Sequence, residues 1–315
     1  MLTAGQAIRP TVLAAGFKGA LFVTGLFEAR INPSRIVSYR QDRDESDSFN
    51  RLVELCRYHG LAVEENRHPR IDQDPLVFLV GWQFLLRHGL DRCVVLHDSL
   101  LPELRGFSPT VTALLLGSEV VGVTAMRPEE GADTGAICGR RRIQISPDAK
   151  LQTIMELQTR AMVDLAIEIL RRTSNGTLVW QSQDQNAATH SLWRDQYDYF
   201  IDWRLSAPEI LRHVRALGFP YEGAKGVLND QVITIRQATV GPDLAFAIRN
   251  PGKLWQVDGQ RALVVCGTGT LWIEDAFDRN GEPFRFEHLR ERFLTADIAW
   301  VASFLRRTPD SGSGE

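Results

Sequence analysis

The sequence predicts an α/β domain built on a largely parallel sheet, followed by a smaller β-rich domain. Two patterns carry this. Over the first two-thirds of the chain, short apolar runs alternate with longer stretches of helical period, as in successive βα units. Beyond Ser206 the pattern changes to short strand-like runs separated by Gly, Asn-Pro and Asp-Gly turns, which suits a small β-barrel or sandwich. A chain of 315 residues has the length of about two such domains.

In the first domain, Val/Ile/Leu-rich runs place strands at residues 11–15, 35–39, 61–64, 76–81, 93–96 and 120–125, with two more at 142–145 and 178–181. Between them the spacing predicts helices at 20–30, 47–59 and 110–117. A long helix is expected at 151–171, where Ile154, Leu157, Ala161, Leu165 and Ile169 recur at helical period and should face the sheet. A helix at 207–217 stops at Gly218, with Pro220 just beyond. Strands then follow at 231–237, 253–257, 262–266 and 270–274. The expected domains are residues 1–205 and 206–307, and the polar, Gly/Ser-rich tail 308–315 is expected to be disordered. No internal repeat is present.

Composition narrows the functional classes. A hydrophobic content of 44% and a charged content of 24% suit a soluble globular protein. The net charge of −3 gives no general attraction to polyanions, so nucleic acid is a secondary partner at best. Cys56, Cys93, Cys138 and Cys266 lie far apart without Cys-x-x-Cys spacing, which predicts no metal site and no disulfide framework. The N-terminus lacks the pattern of a secretory signal, and the longest apolar runs, such as 76–80, fall far short of a membrane span. The expectation is a cytoplasmic protein with no membrane partner.

The chemistry concentrates around His97. It lies where the 93–96 strand ends, and in an open parallel sheet ligands bind beyond the carboxyl ends of the strands. Asp133 follows 36 positions later in the loop Glu129-Glu130-Gly131-Ala132-Asp133-Thr134-Gly135. A carboxylate beside an imidazole orients the ring and fixes its tautomer. Gly16-Phe17-Lys18-Gly19 lacks both the dinucleotide fingerprint and the phosphate-loop spacing, and reads as a strand-to-helix turn lining the cleft.

Several blocks together carry a resemblance: Leu96-His97-Asp98-Ser99-Leu100-Leu101-Pro102, Arg105-Gly106, Gly122-Val123-Thr124, Asp133-Thr134-Gly135-Ala136-Ile137, Ala188-Thr189-His190-Ser191-Leu192-Trp193-Arg194 and Phe219-Pro220-Tyr221-Glu222-Gly223-Ala224. The chain resembles the 10-formyltetrahydrofolate-dependent formyltransferases, a family that includes methionyl-tRNA formyltransferase and the nucleotide-sugar N-formyltransferases. The likeness implies a Rossmann-like catalytic domain, a C-terminal OB-like barrel and 10-formyltetrahydrofolate as formyl donor. It also implies a catalytic Asn-x-His with a distant Asp. His97 and Asp133 fill two of those places, while the third falls on Val95.

In the implied mechanism an amine attacks the formyl carbon, an oxyanion develops, Asp supports the proton transfers and tetrahydrofolate leaves through N10. A lost oxyanion donor typically costs about 10²–10³ in rate. A backbone N–H of the 97–99 turn, Gln83 or a protonated His97 would each serve as replacement. The resemblance assigns the folate site to Trp82, Gln83, Leu100, Leu101, Pro102 and Asp133.

The blocks at 188–203 and 219–224 are most similar to the nucleotide-sugar branch. Arg105, Arg127, His190 and Arg194 are then the candidate substrate-binding residues, whereas Arg140-Arg141-Arg142 reads as solvated charge. A tRNA acceptor ranks second, because residues 206–315 carry 13 Lys plus Arg against 14 Asp plus Glu. A small amine such as hydroxyornithine is a third acceptor. A folate-binding regulator with an impaired site is the reading from another class, resting on Val95. A homodimer contact through the barrel remains open.

Overall fold

The computed structural model describes residues 8–41, 45–86, 88–295 and 298–307, and the chain divides into two compact units, Met1–Trp193 and Arg194–Glu315. The tail expected to be disordered, 308–315, lies outside the described residues. The second unit starts earlier than the composition change at Ser206. Residues before that point already belong to it: Ile201 N donates to Lys225 O, and Trp203, fully buried, stacks on Phe293 at 4.9 Å.

The first unit runs β1 (Thr11–Ala14), α1 (Gly16–Glu28), β2 (Arg35–Ser38), α2 (Ser48–Tyr58), β3 (Val63–Glu65), β4 (Val77–Val80), β5 (Cys93–His97), β6 (Arg105–Gly106), α3 (Pro109–Leu115), β7 (Val120–Met126), β8 (Ile137–Gln144), α4 (Leu151–Ser174) and β9 (His190–Ser191). Seven strands form one sheet in the order β3-β2-β1-β4-β5-β7-β8. The first five are parallel, and β7 and β8 add antiparallel. The chain winds outward from β1 to β3 and then returns to β4 on the other side of β1. That reversal opens a crevice beyond the carboxyl ends of β1, β4 and β5.

Burial follows from the sequence of the strands. β1 and β4 are buried along their whole length, which is why they read as continuous apolar runs. Phe22 and Leu26 of α1 and Met162, Leu165 and Ile169 of α4 pack on Val12, Phe78, Val94 and Leu96. Leu13, Val37, Val77, Leu79 and Cys93 form a separate apolar cluster.

The inward stripe of α4 is rotated from the expected one. Leu157 and Ala161 sit at its margin, while Gln158 and Thr159 are buried within it. Gln158 Nε2 donates to Gly122 O of β7 and to Asp98 O just after β5, each at 3.1 Å, and Thr110 Oγ1 donates to Gln158 Oε1 at 2.9 Å. One amide therefore ties α4 to α3, β7 and the end of β5.

Two expected strands differ. The one placed at 142–145 begins at Ile137, because an edge strand carrying exposed Arg140 and Arg142 does not register as an apolar run. The one placed at 178–181 is not a strand: only Gln181 pairs, through a bridge to Ile137. The short β6 and β9 pair with each other in parallel, Arg105 opposite His190.

The second unit contains α5 (Ala207–Ala216), β10 (Ala224–Leu228), β11 (Gln231–Val240), β12 (Leu254–Asp258), β13 (Arg261–Val265), β14 (Thr270–Phe277), β15 (Phe293–Leu294) and α6 (Ile298–Arg307). Ser206 and Glu209 form a reciprocal capping box at the start of α5. Asn229 and Asp230, both at positive φ, make the two-residue turn between β10 and β11. The antiparallel sheet has the order β12-β13-β14-β11-β10-β15. Its two ends meet: Leu254 N donates to Glu291 O at 3.1 Å and Phe293 N to Gly252 O at 2.8 Å. The fold is thus the predicted class, a mostly parallel α/β sheet followed by a small antiparallel barrel-like domain. β10 and α6 were not foreseen. Among the described residues no helix is long and apolar enough to cross a membrane.

Gln158→Leu roughly keeps the side-chain volume but strips Gly122 O and Asp98 O of their amide donor. Leaving such buried groups unpaired costs about 2–4 kcal/mol in all. Urea unfolding should show a lower midpoint with an unchanged slope.

Candidate active site

His97 is the last residue of β5, at the carboxyl edge of the parallel sheet, and it is 7% exposed. Its Nδ1 lies 3.5 Å from Asp133 Oδ2, and its Nε2 lies 3.2 Å from Leu104 O. A neutral ring donates to one of these oxygens and an imidazolium to both. Asp133 comes from the loop between β7 and β8, so the antiparallel return of the chain brings it back over β5. Its carboxylate also accepts a hydrogen bond from Gly106 N at 2.7 Å. The backbone there is tight: Asp133 has φ +52°, and a Cβ at Gly135 would stand 1.8 Å from Arg127 O. The two residues expected to form the catalytic pair are thus in one place.

The residue after His97 carries a second charge cluster. Asp98 Oδ2 pairs with Lys18 Nζ from the first turn of α1 and accepts from Thr110 Oγ1 at 2.8 Å. Burial alone would raise the Asp98 carboxyl. The nearby charges of Lys18 and His97 and the hydrogen bonds from Lys18 and Thr110 outweigh it, and the pKa falls from 3.8 to about 2. Asp98 is therefore a carboxylate under all ordinary conditions, and its turn is clamped between α1 and α3.

The candidate cations are placed in different ways. Arg105, one of the candidate substrate-binding residues, is 3% exposed, and its guanidinium is taken up by Gln183 and Gln185. Arg127 stacks its guanidinium over the Trp180 ring at 4.3 Å. His190 is exposed on β9 beside Arg105. Arg194 opens the second unit, where its charge adds to burial in lowering the pKa of His213. Val95 is half-buried against Leu101, Met126 and Ile137, so an isopropyl group stands where an amide was expected. Among the described residues no cluster of three His, Cys, Asp or Glu is arranged to hold a metal ion.

Comparison with known proteins adds a second line of observation. Residues 78–170 match the family model "Formyl transferase", and residues 195–291 match "Formyl transferase, C-terminal domain". The chain belongs to the formyl transferase family. It is 31% identical over 190 residues to a methionyl-tRNA formyltransferase of Geobacter metallireducens, an alignment covering 60% of this chain and 58% of that protein. It is 29% identical over 276 residues to one from Agathobacter rectalis, covering 82% of this chain and 84% of the relative.

Solved structures share the fold at lower identity. WlaRD, a sugar 3N-formyl transferase crystallised with dTDP and 5-N-formyl-THF, superposes with a TM-score of 0.61 at 15% identity, over 88% of this chain and 99% of that one. HypX from Aquifex aeolicus in complex with tetrahydrofolic acid gives 0.61 at 16% identity, over 96% of this chain and 48% of that one.

The residues expected at the folate slot of a formyl transferase divide into two groups. Trp82 and Leu100 suit a planar ligand. Trp82 is half-buried, its Nε1 is buried without a hydrogen-bond partner, and Tyr39 meets its ring edge-on at 5.2 Å. Leu100 is half-buried and occupies the space that a Cβ on Gly122 would need. Gln83 is exposed. Leu101 is 1% exposed and its N–H is taken by Thr124 Oγ1 at 3.1 Å. Pro102 offers its carbonyl to Thr189 N at 3.2 Å.

Sequence reasoning missed Gln158, Gln183 and Gln185, and saw Lys18 only as part of a turn. A lone glutamine in a helix or loop carries no pattern. Lys18 and Asp98 were both visible, but their pairing needs β1 and β5 to be near neighbours in the sheet.

The lowered pKa of Asp98 has a definite sign. Its contribution to stability is complete above the unfolded value near 4 and disappears as pH falls toward 2. Asp98→Asn should destabilise the protein by about 2 kcal/mol at neutral pH, and the difference should close between about pH 4 and pH 2. Thermal melts of both proteins across that range measure it.

Proposed function

We propose that this protein transfers the formyl group of 10-formyltetrahydrofolate to the amino group of a nucleotide-linked amino sugar. The observation that carries the reading is the His97–Asp133 pair at the carboxyl edge of the sheet, 3.5 Å apart. Formyl transfer needs a neutral amine to form a C–N bond to the formyl carbon and to lose a proton. It also needs N10 of the folate to gain a proton as its own C–N bond breaks. A coupled imidazole and carboxylate can take the first proton and return the second. For His97 to meet negative charge on the formyl oxygen, its Nε2 exchanges Leu104 O for that oxygen while Nδ1 stays with Asp133. Val95 contributes nothing there, so backbone N–H groups of the turn after β5 are the remaining donors. Trp82 and Leu100 would hold the pterin, which the unpartnered Trp82 Nε1 supports.

The sugar acceptor is favoured by the blocks at 188–203 and 219–224 and by the absence of surplus positive charge in residues 206–315, which contain 13 Lys plus Arg against 14 Asp plus Glu. A dTDP-linked amino sugar is the substrate class to try first, since the N-formyltransferase of Helicobacter canadensis, with the same fold at a TM-score of 0.61, was crystallised with folinic acid and dTDP-3-aminofucose. Initiator methionyl-tRNA is the second reading, favoured by the relatives at about 30% identity.

Mass spectrometry of amino-sugar nucleotides incubated with the protein and 10-formyltetrahydrofolate tests this, with methionyl-tRNA and hydroxyornithine in parallel. The expected result is one formyl mass gain on a sugar nucleotide. His97→Ala and Asp133→Asn should each lower that rate by about 10²–10⁴. Folate binding without turnover on any acceptor would overturn the transferase reading and leave a binding protein.

A further inference from the structure

Arg105 and Gln183 are both buried, at 3% and 7% exposure, and the chemistry above uses neither. The guanidinium of Arg105 has only amide acceptors among its hydrogen-bond partners. Nε and Nη2 both donate to Gln183 Oε1, at 3.1 and 2.7 Å, and Nη1 donates to Gln185 Oε1 at 2.8 Å. A guanidinium accepts nothing, so the Gln183 amide is oriented with its oxygen toward Arg105. Its NH₂ group then faces away and makes two bonds, to Asp133 O at 2.8 Å and Gly135 O at 2.7 Å. Every hydrogen-bonding direction of this side chain is used. An amide whose oxygen accepts from a buried cation is also polarised toward stronger donation.

The same dipeptide holds the other side of the loop. Gly106 N, one residue after Arg105, donates to Asp133 Oδ2 at 2.7 Å. Asp133 is thus gripped by its carboxylate and its main-chain carbonyl at once. It stands in the left-handed region, at φ +52°. We propose that Arg105 and Gln183 are positioning residues for Asp133: a buried cation, acting through one fixed amide, holds the Asp133 loop in register with His97. Its consequence for turnover rests on the formyl-transfer reading, whereas its consequence for the loop does not.

Gln183→Glu separates positioning from simple burial of Arg105. The carboxylate keeps the acceptors for the guanidinium and gives it an ion pair, so the fold is retained. It removes both donors and points an anionic oxygen at two carbonyls. The expected result is a thermal midpoint close to wild type, exchange of the Gly106 amide faster by at least about tenfold and displaced His97 ring resonances. The kcat for formyl transfer should fall by about 10². Arg105→Lys keeps the charge, loses the fork and should move the same readouts in the same direction.

A folded Gln183→Glu protein with wild-type Gly106 exchange and His97 resonances would overturn the proposal, leaving Gln183 as a mere partner for Arg105. Should the wild-type protein transfer no formyl group, the exchange and resonance measurements still decide the clamp. The transferase reading would then fail on its own.

Discussion

A sheet that ends in charged and polar groups must satisfy them where water is scarce, and the end of β5 is where this fold meets that demand. Asp98 lies beneath the crevice as a carboxylate. It persists there because Lys18 arrives from α1 and Thr110 from α3. Gln158 completes the arrangement by bonding the Asp98 carbonyl, the Gly122 carbonyl and the Thr110 hydroxyl. Removing any one member leaves a buried group unpaired, which costs more than the bond itself contributes. The direction in which His97 leaves the strand is therefore set by four other elements of the domain.

The opposite side of His97 is organised by a loop rather than by regular structure. The β7–β8 connection carries Asp133 in a left-handed conformation, and Gly135 leaves no room for a side chain against the Arg127 carbonyl. Such a loop does not hold its own shape. Gly106 supplies an N–H to the carboxylate, and Gln183 supplies donors to the backbone. The distance between imidazole and carboxylate is thus the joint outcome of the polar cluster at the end of β5 and the amide bonds of Gln183.

Much of this was legible in the amino-acid sequence, in proportion to how local its cause was. The buried strands β1, β4 and β5 read directly from their apolar runs, and Gly218 with Pro220 marked the end of α5. His97 and Asp133 were legible because strand, turn and loop chemistry accompany them. What escaped was set by partners distant along the chain. β8 is an edge strand bearing Arg140 and Arg142, so its pattern is one of charge rather than burial. The burial of Arg105 was not legible because the residues that absorb its guanidinium lie about eighty positions later. On α4 the period found Ile154, Leu165 and Ile169 but also placed Leu157 and Ala161 inward, because a buried Gln158 is indistinguishable from a solvent-facing one until β7 is known to lie beneath it.

The pairing of β6 with β9 has an implication for how the site comes into being. Both candidate catalytic groups, and Arg105 itself, are in the chain by the end of β8. The acceptors for that guanidinium, and the strand that aligns Gly106, arrive only with residues 183–191. A chain that ends with its longest helix lacks Gln183 and Gln185 to receive the Arg105 guanidinium, and lacks the two Gln183 bonds to the Asp133 loop. The segment that leads into the second unit thus completes the surroundings of His97 and Asp133, and a chain interrupted before it carries both residues without the amide bonds that hold the Asp133 backbone.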